Sequence, residues 1–106
     1  MAQREVIDIL KKYLLALQLK GLAISEARLY GSYVRNEANN ESDIDVLLLS
    51  DNVNFNDDKN TGIIWTTAFA VDPRIEPYGV SKKKFIEDDY LPLFENVKSE
   101  GIEIKV

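Results

Sequence analysis

From Ile44 to Leu49 the chain reads Ile-Asp-Val-Leu-Leu-Leu, so every position except Asp45 is apolar. Successive side chains of a strand point to opposite faces, so a strand over Asp43 to Ser50 carries apolar residues on both. Such a strand is interior and covered on two sides, which a sheet with helices on each face provides. Only its beginning is charged, with Asp43 and Asp45 one residue apart.

The flanking segments supply the covering layers. From Ala2 to Lys20, Val6, Ile9, Leu10, Tyr13, Leu14 and Leu17 recur at three- and four-residue steps, which predicts an amphipathic helix ended by Gly21. Ile24 to Tyr30 shortens to a period of two, Ala27 and Leu29 against Arg28 and Tyr30, and reads as a strand. Ser32 to Ala38 is expected to form a short helix with Ser32 as its cap, followed by a polar turn at Asn39-Asn40-Glu41-Ser42. Asp51 to Asn60 is a loop by its Asp and Asn content.

Thr61 to Val71 suits either a strand, by its β-branched residues, or a helix, by its length and spacing; the helix is favoured. Arg74 to Val80 alternates like a strand, and Pro77 makes it an edge strand or a strand end because proline donates no ladder hydrogen bond. Pro92 to Glu100 is a helix opened by proline and closed by Gly101, and Ile102 to Val106 a last short strand. Trp65, Phe69 and Phe85 are expected in the core, and Lys82-Lys83-Lys84 on a solvated face or against an acidic partner. The whole is one α/β (α+β) domain over residues 1–106.

Composition narrows the chemistry. The chain has neither cysteine nor histidine. That excludes disulfides, thiolate catalysis, Cys/His zinc sites and imidazole acid–base work. A metal must then be a hard cation held by oxygen. The net charge of −5 disfavours stable nucleic-acid binding. No apolar run is long enough to span a bilayer and no signal-peptide pattern opens the chain, so the cytoplasm is the expected compartment.

Asp43 and Asp45 project to one side of their strand, about 7 Å apart at their α-carbons. Two carboxylates this close to leucines repel each other and resist desolvation unless a cation neutralises them, which suits Mg²⁺ or Mn²⁺. Gly31-Ser32 adds a second element. A strand that turns through glycine leaves backbone N–H groups free to bind phosphate oxygens, and the Ser32 hydroxyl offers another donor. Ten residues separate Ser32 from Asp43. A phosphate cradle facing a carboxylate pair is minimal apparatus for phosphoryl or nucleotidyl transfer.

The segment from Gly31 to Leu49, GSYVRNEANNESDIDVLLL, resembles the signature of the DNA polymerase beta-like nucleotidyltransferases: Gly-Ser, about ten residues, then Asp-x-Asp among apolar residues. In its size the chain is similar to the minimal nucleotidyltransferases, a single-domain group often encoded beside a helical HEPN-domain protein. The resemblance implies a small mixed sheet flanked by helices. It implies that Gly31 and Ser32 hold a nucleoside triphosphate, with Arg35 reaching a phosphate or the nucleotide. Asp43 and Asp45 would then ligate Mg²⁺ or Mn²⁺, with a third carboxylate from a later strand.

That third residue is expected to be Glu76, with Asp72 the alternative; many relatives carry aspartate there. The implied reaction moves a nucleoside monophosphate, AMP from ATP, to an acceptor hydroxyl such as a tyrosine of a HEPN-type partner. A homodimer is the other assembly expected. The competing reading is a binding module that neutralises a HEPN partner with little or no catalysis.

Overall fold

Helix α1 (Gln3–Leu19) puts Val6, Leu10, Tyr13, Leu14 and Leu17 into the interior, the stripe its sequence spacing describes. The structure, a computed structural model, describes residues 3–39, 41–88 and 90–105. Ala2, Asn40 and Val106, at which the predicted first helix, polar turn and last strand include a residue, lie outside the described residues. Gly21 ends α1 in the left-handed conformation, φ 88°, while the Leu22 N–H reaches back to the Leu17 carbonyl at 2.9 Å.

The strands are β1 (Glu26–Tyr30), β2 (Ile44–Leu49), β3 (Ile75–Val80) and β4 (Ile102–Ile104), ordered β3-β2-β1-β4 across one sheet. β1 pairs antiparallel with both β2 and β4, and β2 pairs parallel with β3. The predicted mixed α/β architecture is therefore the observed one, with β2 inside and β3 at an edge. The edge position explains Pro77. The carbonyls of Arg74 and Val80 accept from the β2-side amides of Ile44 and Ser50, at 2.8 and 3.4 Å. By alternation the backbone of Pro77 points outward, where its missing N–H removes no ladder bond.

Both faces of β2 are buried. Ile44, Val46 and Leu48 pack against α1 and α2 (Asp58–Val71), with Tyr13, Leu29, Ile64 and Ala68. On the reverse face Leu47 and Leu49 meet Val80, Phe85, Phe94 and Val97 beneath α3 (Lys82–Glu87) and α4 (Pro92–Glu100). The Tyr13 hydroxyl donates to the Ile64 carbonyl at 2.9 Å, so this buried polar tip is satisfied where it joins α1 to α2.

Two expectations are corrected. Ser32 to Ala38 forms a hydrogen-bonded turn, with Val34 and Arg35 donating to Gly31 and Glu37 to Ser32; Asn36 has φ 56°, which a regular helix cannot contain. Tyr33 is buried within that turn and its hydroxyl donates to the Asn39 carbonyl, so its ring is part of the core.

Trp65 and Phe69 lie on the outer face of α2, 48% and 72% exposed among the described residues; of the three aromatics Phe85 is core. The lysine run begins helix α3, with Lys83 and Lys84 on the solvated face expected of them. Ser81 caps it by accepting from Lys84 N–H at 3.1 Å, Asp51 accepts from Lys83 N–H at 3.1 Å, and Phe85 anchors it edge-on to Phe94.

Leu48 is fully buried in the strand that both layers share. Leu48→Ala is expected to lower unfolding free energy by about 2–5 kcal/mol in urea titrations, with far-UV circular dichroism unchanged in native buffer.

Candidate active site

The register assembles the site. Asp45 lies opposite Tyr30 on β1 and opposite Glu76 on β3, so three neighbouring strands put one side chain each on the same face of the sheet. Leu47 and Leu49 continue that face into the α3/α4 layer, while Asp43 stands just ahead of β2, exposed to solvent. Glu76 is exposed as well, and Asp45 is half-buried between them.

Electrostatics show how close the acids are. Burial, then the charges of Glu76 and Asp43, push the Asp45 carboxyl up to about 6, against a smaller lowering by Arg35. Tyr30 is pushed up to about 12, first by burial and then by Asp45, Glu76 and Tyr78. Tyr78 follows Glu76 at the two-residue period and is 46% exposed on this face. The sequence carried that signal in Glu76-Pro77-Tyr78, yet Tyr78 drew no notice there.

Gly31 fits under this cluster. Its φ of 84° is a left-handed conformation, and a β-carbon in its place would overlap the Asp45 carboxylate. The turn that follows leaves the N–H groups of Ser32 and Tyr33 without a backbone acceptor among the described residues. Arg35 is 45% exposed at the side chain, with its guanidinium 3.3 Å from Glu37 and 3.9 Å from Glu100.

Asp72 is placed differently. It ends α2 and holds Arg74 at 2.6 Å, which keeps its carboxyl below the usual range. Lys82 of the lysine run pairs with Glu26 at 3.5 Å.

All six residues singled out in the sequence lie at one end of the sheet: Gly31, Ser32 and Arg35 in the β1–β2 connection, Asp43 and Asp45 at the start of β2, Glu76 beside them on β3. Among the described residues no three acidic side chains converge into a ready cation cluster. The donor chemistry nonetheless fits a hard divalent cation: the set is all oxygen, and burial together with the neighbouring acids already disfavours the charged form of Asp45. A cavity of about 440 Å³ lies elsewhere, between the end of α1 and β4, and includes none of these acids.

A four-stranded mixed sheet with two helices on each face and the acids at the start of a central strand is the nucleotidyltransferase fold. The chain belongs to the nucleotidyltransferase domain family, whose model matches residues 7–103. Among solved structures it is similar to a chain in the crystal structure of a mutant of the toxin-antitoxin MntA-HpeT. The TM-score is 0.52 and the identity 14%, over 99% of this chain and 73% of that one. No curated protein matches it. No helix among the described residues is long and apolar enough to cross a membrane.

The Asp45 carboxyl makes a pH prediction. Its ordinary value is 3.8 and its folded value about 6, so between these the native state keeps a proton the unfolded chain has lost. Stability from this group is therefore greatest below pH 3.8, falls as pH rises to about 6, and stays flat above. In EDTA at pH 7.5, Asp45→Asn is expected to stabilise by on the order of 1 kcal/mol, less than the full shift implies because solvent screens a half-exposed group. Urea midpoints of the two proteins at several pH values check this, and the gap should close toward pH 4.

Proposed function

We propose that the chain is a metal-dependent nucleotidyltransferase that moves AMP from ATP to an acceptor hydroxyl, acting in the cytoplasm on a protein partner. The observation that carries this reading is the Asp45–Glu76 register, which sets a second and third carboxylate beside the Gly31-Ser32 turn. The family match to a nucleotidyltransferase domain supports it. So does the mutant form of the similar structure, whose two aspartate-to-glutamate changes are one residue apart, the spacing of Asp43 and Asp45.

Asp43, Asp45 and Glu76 would hold Mg²⁺ or Mn²⁺, which when bound lowers the pKa of an attacking hydroxyl and offsets the charge of a triphosphate. The free N–H groups of Ser32 and Tyr33 and the Ser32 hydroxyl bind phosphate oxygens, and Arg35 leaves its weak surface pairs to join them. The acceptor oxygen attacks the α-phosphorus and its proton passes to Glu76, which is exposed and opposite Asp45 across the sheet. The bond from the α-phosphorus to the bridging oxygen breaks, and pyrophosphate leaves.

The acceptor is proposed to be a tyrosine of a HEPN-type partner. A toxin-antitoxin assembly is what the similar structure's description states, which favours a protein over a small acceptor. A module that binds its partner without turnover is the second reading, favoured by the absence of a ready three-acid cluster among the described residues.

Calorimetry should detect Mg²⁺-dependent ATP binding that Asp43→Asn abolishes and Ser32→Ala weakens by about tenfold; equal affinity in both variants would place the nucleotide elsewhere. With ATP labelled at the α-phosphate, the wild-type chain should label a HEPN-type protein. Glu76→Gln should cut that rate by about 100-fold or more while ATP affinity changes little. Partner binding with no label from the wild-type chain establishes the binding module instead.

A further inference from the structure

We infer that the outer face of α2 is the contact surface for a second copy of this chain, packed antiparallel across a two-fold axis. Helix α2 is apolar nearly all round. Its inner side buries Ile64, Thr67 and Ala68, yet its outer side carries Gly62, Trp65, Thr66, Phe69 and Ala70, all exposed, with no charge between Lys59 and Asp72. A surface helix of a globular domain normally turns a charged face to water, and a helix apolar on every side is normally buried. Next to it lies a cleft of about 250 Å³ between α2 and the β3 edge, lined by Phe55, Ile64, Trp65, Pro77 and Tyr78. Helix stripe and cleft make one uncharged aromatic surface in a chain of which 29% of residues are charged.

Charge selects the occupant. The chain is acidic, with net charge −5, so a second copy meets repulsion on most of its surface and least where charge is absent. The stripe is also complementary to itself. In an antiparallel pair centred between Trp65 and Thr66, residues whose numbers are equally far from that centre face each other. Phe69 then lies over the partner copy's glycine at position 62, where there is space: a β-carbon at Gly62 would touch nothing within 4 Å. Trp65 sits on the flank of α2 toward β3, and the two-fold brings the other copy's equivalent to that same flank, against the cleft.

This surface is on the α1/α2 side of the sheet, whereas Asp43, Asp45 and Glu76 are on the α3/α4 side. Pairing through α2 therefore leaves both carboxylate sites open, and the inference stands whether or not the chain transfers nucleotides.

The absence of native cysteine allows a direct test. Sedimentation velocity on the wild-type chain at about 100 µM is expected to give twice the 12.1 kDa monomer mass. Phe69→Glu should return it to the monomer with unchanged circular dichroism, since the ring is 72% exposed, while Ile86→Glu, 59% exposed on α3, should leave the dimer intact. Thr66→Cys should cross-link into a disulfide dimer under mild oxidation and Asn96→Cys should not. A wild-type monomer at that concentration, a dimer that survives Phe69→Glu, or cross-linking at Asn96 in preference to Thr66 overturns the inference.

Discussion

The repulsion among Asp43, Asp45 and Glu76 is the constraint around which the rest of the structure is arranged. Three carboxylates set on adjacent strands oppose one another and oppose burial, and the shift of Asp45 to about 6 is the direct expression of that cost. They persist because β2 cannot move. Its two faces are locked by Ile44, Val46 and Leu48 on one side and Leu47 and Leu49 on the other, and its register is fixed by pairing on both edges. A one-residue slip would turn Asp45 into the α1/α2 layer. Hydrophobic packing thus holds a charge arrangement that electrostatics alone would disperse.

The Gly31 turn is the other consequence of this arrangement. With Asp45 opposite the last residue of β1, the chain must leave that strand directly over a carboxylate, and only a residue without a β-carbon passes there. The conformation that avoids the overlap also aims the next amides away from the ladder. Steric relief at Asp45 and a pair of free donors are the same structural event. This explains why the two halves of the site, ten residues apart in sequence, occupy one end of the sheet.

Much of this was legible before any coordinates. The two-sided apolar run of β2, the period of β1, the Pro92 and Gly101 brackets of α4 and the edge position implied by Pro77 are local signals that tertiary packing reinforced. The misreadings have particular causes. Ser32 to Ala38 has helix-compatible residues, but burial of Tyr33 and the left-handed Asn36 close the segment as a turn. α3 was hidden because three lysines precede its one anchor, Phe85, and a single buried ring gives no period. Arg28 and Lys98 stack on that ring at 5.4 and 5.2 Å, so charged neighbours form its cover where an apolar partner was to be expected.

Trp65 and Phe69 were misread for a different reason. A hydrophobic pattern records what a sequence gains by burial, not whether the burying surface belongs to the same chain. Both faces of the sheet need a helical layer, and α2 supplies half of one; its inner side saturates that demand with Ile64, Thr67 and Ala68. Aromatic rings left outside then have no intramolecular use, and the chain has no further described element to cover them. The molecule consequently presents two patches of opposite character: the acidic end of the sheet on its α3/α4 side, and the uncharged, aromatic outer face of α2. A clustered set of carboxylates favours a cation beside it, whereas an uncharged apolar face costs least to bury, so the two patches suit different kinds of ligand.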